Sequence, residues 1–156
     1  MIKISIPGRG TLTFHHIVLD YNGTMGRDGN LIPGVKERLY LLAENLEVHI
    51  ITADTFGLCK TSCQGIKAVI HILTSATGST EKEQYVEALG PEGVMSIGNG
   101  SNDALMLARA AVGVAVLGPE GTSTSALQAS DVVVRDINDG LDLLLNPKRL
   151  IATLRT

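Results

Sequence analysis

The segment Asp20-Tyr21-Asn22-Gly23-Thr24 directly follows the apolar run Ile17-Val18-Leu19. A carboxylate in that position is held rigidly by its strand, while Gly23 lets the backbone turn and offer N–H groups to an anion. Asp20 is therefore a candidate nucleophile. Three further residues stand where they can serve it. Thr52 closes a second apolar run and has a hydroxyl to donate to a phosphoryl oxygen, and Lys82 lies at the start of a helical pattern and brings positive charge. Asp103 belongs to Gly98-Asn99-Gly100-Ser101-Asn102-Asp103 after a third run and can join Asp20 around a hard cation such as Mg2+. Each has a plain structural reading alone: Asp20 and Thr52 as turn formers, Lys82 as a solvated cation, Asp103 as a helix cap. It is their occurrence together, at strand ends, in the loop after a strand and at a helix start, that points to chemistry.

The elements that must bring them together are legible as alternation. Buried-strand patterns cover His16 to Asp20, Val48 to Thr52, Ala68 to Leu73, Val94 to Ile97, Val112 to Val116 and Asp131 to Val134. Helical patterns lie between them at Val35 to Leu46, Phe56 to Gly65, Glu81 to Leu89, Asp103 to Ala110 and Thr122 to Ala129, with a last one from Gly140 to Leu145 running on toward Leu154. Strand-helix alternation predicts an α/β chain: a three-layer, doubly wound, Rossmann-like parallel sheet with right-handed crossovers. Ligands in such a sheet bind at the carboxyl ends of the strands. Ile2 to Ile6 and Thr11 to Phe14, around Pro7-Gly8-Arg9-Gly10, predict a short N-terminal β-hairpin at the sheet edge.

With 156 residues, 44% hydrophobic and 19% charged, the composition predicts one globular domain over 1–156. A formal net charge of −3 provides no basic face for a run of phosphates, so a nucleic-acid partner is not expected. No apolar stretch approaches the ~20 residues of a membrane span, and Pro7 and Gly8 interrupt any secretory signal, so the expected location is cytoplasmic and away from membranes. Cys59 and Cys63 read as reduced packing thiols. His15, His16, His49 and His71 show no ligand spacing and are expected to be structural. Gly118-Pro119-Glu120-Gly121 has neither the lysine nor the spacing of a phosphate loop, and Asp54 is expected to cap a helix.

The ordered set resembles the haloacid dehalogenase superfamily, whose motifs run Asp-x-Asp-Gly-Thr, then Thr or Ser, then Lys, then Gly-Asp-Gly-x-x-Asp. Asp20 to Thr24, Ile51 to Gly57 and Ile97 to Leu107 are similar to the small soluble, capless members related to the phosphorylation domain of P-type ATPases. The resemblance implies that Asp20 attacks a phosphoryl group to form an aspartyl-phosphate. Gly23, Thr24, Thr52, Ala53 and Lys82 would hold the phosphoryl oxygens. Mg2+ would be held by Asp20, the Asn22 main-chain carbonyl, Asn99 and Asp103. The implied substrate is a phosphorylated small molecule or a phosphoprotein, because neither usual insertion point has room for a cap; a homo-oligomer would be another way to close the open crevice.

Two positions depart from the family pattern. Asn22 stands where phosphatases place an acid/base aspartate, and an amide does not exchange protons near neutral pH. Such help is commonly worth ~10²–10⁴ in rate, so slow turnover with poor leaving groups is expected. Asn99 replaces the first acid of the last motif, leaving a neutral oxygen for the cation. The alternative reading is a catalytically impaired regulatory module that binds phosphate and metal.

Overall fold

The structure, a computed structural model, describes residues 1–54, 57–75 and 77–156. All six apolar runs become strands of one parallel sheet: β3 (His16–Asp20), β6 (Glu47–Thr52), β7 (Val69–Ile72), β8 (Val94–Gly98), β9 (Val112–Val116) and β10 (Val132–Val134). Their order across the sheet is β10-β9-β8-β3-β6-β7. The chain therefore starts in the middle, winds outward through β6 and β7, and returns to the other side of β3 to build β8, β9 and β10. That reversal opens a crevice at the carboxyl ends of β3 and its neighbours, where a doubly wound sheet binds ligands.

The hairpin of β1 (Ile2–Ile6) and β2 (Gly10–Phe14) forms its own antiparallel sheet with no ladder to the six strands. Ile4, Ile6 and Phe14 bury its inner face in the main core. The glycine-rich stretch after Thr24 contains a second small hairpin, β4 (Gly26–Arg27) with β5 (Asn30–Leu31).

Helices α1 (Val35–Leu42), α2 (Cys59–Ser62), α3 (Ser79–Leu89), α4 (Ala104–Arg109), α5 (Thr124–Ala129), α6 (Ile137–Leu145) and α7 (Pro147–Leu154) cover the sheet. Alternate residues of β3 point to opposite faces. Ile17 and Leu19 pack with α1 and α6, while Val18 packs with Val86 of α3 and Met106 of α4. α1 stops earlier than its pattern predicts because its last turn tightens, with the Glu44 N–H bonding the Leu41 carbonyl three residues back. The expected run from Gly140 to Leu154 breaks at Asn146, and Pro147, having no N–H to give α6, opens α7 instead. The helix expected over Phe56 to Gly65 is described only as Cys59–Ser62; Phe56, like Thr55 of the Ile51 to Gly57 motif, lies outside the described residues.

Gly113 sets how closely α4, and with it the loop carrying Asp103, approaches the sheet. A methyl group there would lie 2.3 Å from the Leu107 carbonyl oxygen, which is backbone and cannot rotate away. Gly113→Ala should lower stability by about 1–3 kcal/mol in urea unfolding, the usual cost of overpacking a core.

Candidate active site

Asp20 ends β3 on the α3 face of the sheet, the same face as Val18 two residues earlier. Lys82, in the first turn of α3, reaches it there. Its ammonium lies 2.5 Å from Asp20 Oδ1 and 2.6 Å from Asp103 Oδ1, with all three side chains buried. Burial opposes the charge on Lys82, but the two carboxylates outweigh it and hold the amine above its ordinary range. Asp20 moves the other way. Burial first and the neighbouring Asp103 second push its carboxyl up from 3.8 to about 7, against the opposing pull of Lys82 and Thr24.

The start of α3 is fastened by the residue before Lys82. The Glu81 carboxylate accepts hydrogen bonds from His71 Nε2 at 2.8 Å and from the N–H groups of Thr74 and Ser75. His71 and these backbone groups hold its carboxyl at about 2, so Glu81 stays ionised and ties the end of β7 to the helix.

Asp103 is turned inward. Its Oδ2 accepts from the N–H groups of Asn99 and Gly100 at 2.9 and 2.8 Å, while Oδ1 serves Lys82. Gly98 makes room for it, since a Cβ there would lie 2.5 Å from the Asp103 carboxyl carbon. Three other groups bring further oxygens together beside it. Thr24 Oγ1 is 3.2 Å from Asp20 Oδ2 and 3.0 Å from Asn99 Oδ1, and its single proton can serve only one of them at a time.

Sequence reasoning passed over what holds Asn99. Its Nδ2 donates to the Gly121 carbonyl at 2.8 Å, and its own carbonyl accepts from the Ser123 N–H. Gly118 lies so close to Gly23 that a Cβ on it would come within 2.7 Å of the Gly23 carbonyl oxygen. The Gly118 to Gly121 loop is thus a clamp on the site. Within it only Gly118 marks the close backbone approach, and its spacing in the sequence carries no signal of that contact.

Thr52 Oγ1 accepts from Asn22 Nδ2 at 3.4 Å and from the Asp54 N–H at 2.9 Å, which leaves the hydroxyl its own proton to donate. Ala53 follows it, exposed. Asp54 caps as expected, its Oδ1 accepting from the Cys59 N–H at the start of α2. The Gly23 N–H bonds the Gly26 carbonyl and the Thr24 N–H bonds the Tyr21 carbonyl, so both serve the turn itself here. Gly23 holds φ at +79° and would place a Cβ 2.5 Å from Asn99 Nδ2, so only glycine fits. Cys59 and Cys63 are buried free thiols, and their mutual hydrogen bond together with burial raises the thiol of Cys59. No helix among the described residues is long and apolar enough to cross a membrane.

Solved structures with this architecture share one fold. A HAD family hydrolase from Streptomyces avermitilis superposes with a TM-score of 0.69 at 18% identity over 87% of each chain. The 3-deoxy-D-manno-octulosonate 8-phosphate phosphatase of Moraxella catarrhalis, solved with magnesium, phosphate and the sugar, gives 0.63 at 18% identity over 91% of this chain and 94% of that one. The catalytic domain of the CPx-ATPase CopB-B gives 0.60 at 27% identity over 74% of this chain and 46% of that one. The fold is that of the haloacid dehalogenase hydrolases, and it is shared by part of that ATPase catalytic domain. No family model matches the chain. In sequence, it is 53% identical over 62 residues to the uncharacterized protein MJ0073 of Methanocaldococcus jannaschii, which spans 40% of this chain and 67% of that protein. It is also 54% identical over 42 residues to MJ0072 of the same organism, 27% of this chain and 96% of that one. The chain belongs to the same family as these two proteins.

Removing the cation from between the two buried acids gives a direct measure of the arrangement. Lys82→Met should cost about 3–5 kcal/mol at pH 8, the usual loss when one partner of a buried ion pair is deleted. The penalty should shrink at pH 5, because a carboxyl with a raised value takes up a proton as the pH falls through that value and ceases to be an unpaired charge. Urea unfolding at the two pH values gives both numbers.

Proposed function

We propose that the protein is a Mg2+-dependent phosphohydrolase or phosphotransferase that works through an aspartyl-phosphate on Asp20. The observation that carries the reading is the division of labour between the oxygens of Asp20: one held by Lys82, the other facing Thr24, whose hydroxyl also meets Asn99 Oδ1.

The oxygens of Asp20, Thr24 and Asn99 form an all-oxygen donor set with one shared proton, and the buried acids exceed the one buried amine by one negative charge. That fits a hard divalent ion, with Asp20, the Asn22 main-chain carbonyl and Asn99 as its ligands; Asp103 is assigned to hold Lys82 and the Asn99 loop behind them. Mg2+ there supplies charge neutralisation for the oxygens of the phosphoryl group.

Asp20 attacks phosphorus in line, forming the carboxylate O–P bond as the bond to the leaving oxygen breaks and its electron pair departs with the leaving group. Water then attacks phosphorus, returning the carboxylate and releasing phosphate. Lys82 has three N–H donors, two of which face Asp20 and Asp103, so one is left for an equatorial oxygen. Thr52 donates its hydroxyl proton to another. Positioning and charge dispersal of this kind are the larger part of phosphoryl-transfer catalysis. Asn22 offers hydrogen bonding without a proton, so the leaving group must be stable as an anion.

The substrate class is a phosphorylated small molecule or a phosphoprotein with a good leaving group. Acetyl phosphate or an aryl phosphate should turn over faster than a sugar phosphate, and Asn22→Asp should raise the sugar phosphate rate toward the ~10²–10⁴ that an acid/base group supplies. Asp20→Asn should abolish all turnover and the hydroxylamine-sensitive acyl phosphate with it. Equal rates on acyl and sugar phosphates would remove the role given to Asn22. The amides at Asn22 and Asn99 favour one second reading, a module that binds phosphate and metal without turning over; tight binding of beryllium fluoride with Mg2+, and no hydrolysis of any acyl or aryl phosphate, selects it.

Asp20 must be ionised to attack, so at low Mg2+ the rate should rise with pH up to an inflection near 7. Saturating Mg2+ stabilises the carboxylate and should move that inflection to lower pH in the pH–rate profile.

A further inference from the structure

The amino end of the sheet carries a second cluster that the proposed reaction does not use. β3 and β6 pair in parallel with His16 opposite Glu47 and Val18 opposite His49. Side chains two apart on a strand share a face, so this register puts His16, Glu47 and His49 together on the α3 side. Their ligand atoms already form a triangle. His16 Nδ1 is 3.1 Å from His49 Nε2 and 3.4 Å from Glu47 Oε2, and His49 Nε2 is 3.7 Å from that same oxygen.

These edges carry geometric information. A tetrahedral ion with bonds of ~2.0–2.1 Å sets its ligand atoms about 3.3–3.4 Å apart, in the middle of the observed range. A histidine pair held only by a hydrogen bond explains the 3.1 Å edge and leaves the carboxylate oxygen facing both rings at more than hydrogen-bond length from one of them. One ion on all three atoms explains every edge. His49 is also oriented from behind. Its Nδ1 lies 3.0 Å from the Tyr85 hydroxyl of α3, which holds the buried ring with Nε2 toward the triangle, as an outer partner holds a metal-binding histidine. His16 and Glu47 open on a cleft of about 710 Å³ that His15, Lys67 and Val69 also line. Water or an outside ligand has room to complete the fourth position.

We propose that His16, Glu47 and His49 form a binding site for a zinc-class divalent ion, at the opposite end of the sheet from Asp20, with its fourth position open to the cleft. Two imidazoles and one carboxylate suit a borderline ion such as Zn2+, whereas Mg2+ prefers oxygen donors.

Calorimetric titration of the chelator-treated full chain tests it. One Zn2+ per chain should bind in the presence of excess Mg2+, and Co2+ in its place should give the visible bands of a tetrahedral site without sulfur-to-metal charge transfer. His16→Asn and the exposed substitution Glu47→Gln should each weaken binding at least about tenfold, while Asp20→Asn should leave it intact. The proposal is overturned by absence of stoichiometric Zn2+ binding, by binding that survives both the His16 and Glu47 changes, or by binding lost with Asp20→Asn, which would move the ion to the carboxyl end of the sheet.

Discussion

The whole carboxyl end of the sheet is organised around one ammonium group buried between two carboxylates. A charge removed from water is costly unless it is paired, and Lys82, with no exposed surface, is paired twice. The pairing is not complete. Two acids and one amine leave an excess of negative charge, and burial first with the neighbouring Asp103 second raises the Asp20 carboxyl to about 7, where a proton relieves it. A divalent cation relieves the same excess without neutralising the acid. In the reaction proposed for Asp20 the ionised carboxylate is the form that attacks, so a cation bound there would favour that form.

That arrangement needs three distant segments to converge, and the topology provides it. Asp20 ends β3, the Asn99 to Asp103 loop follows β8, and those two strands are hydrogen-bonded neighbours because the chain crosses back over β3 after finishing β7. α3 is the crossover itself, so Lys82 enters the site as part of the connection that creates the crevice. The neighbouring Glu81, fastened to His71, Thr74 and Ser75, anchors the start of that helix.

The fold was legible because its strands are buried on both faces and read as continuous apolar runs, and because glycines and polar turns separate them. Helix ends were less legible; they depend on events such as Asn146 leaving helical geometry, which the apolar period across it does not reveal. The site was legible as residue types at strand ends. What the sequence could not show is how oxygens are shared. Asp103 reads as a cation ligand, and nothing in its spacing shows that its two oxygens also serve Lys82 and the backbone of its own loop. The role of Gly118 to Gly121 is equally invisible, because it rests on backbone approaching backbone across nearly a hundred residues. His16 and His49 carry no spacing signal because their juxtaposition is a matter of strand register.

Register also explains why one strand can serve two ends. His16, Val18 and Asp20 alternate onto the same face of β3, with Val18 sealed among Ile51, Val86, Val94 and Met106 between them. An apolar plug of that kind separates the histidine cluster from the carboxylates and denies water a path along the face. α3 spans the separation, meeting Asp20 through Lys82 and His49 through Tyr85. Because the two polar clusters are held by the same strand and the same helix yet divided by packed aliphatic side chains, each can have its own chemistry: hard oxygen donors with a net negative charge at one end, imidazoles with a single carboxylate at the other. The fold does not require the second cluster, since a parallel sheet needs only apolar residues at its strand starts. Two histidines and a glutamate in register there are a feature of this chain's side chains, laid over an architecture that would stand without them.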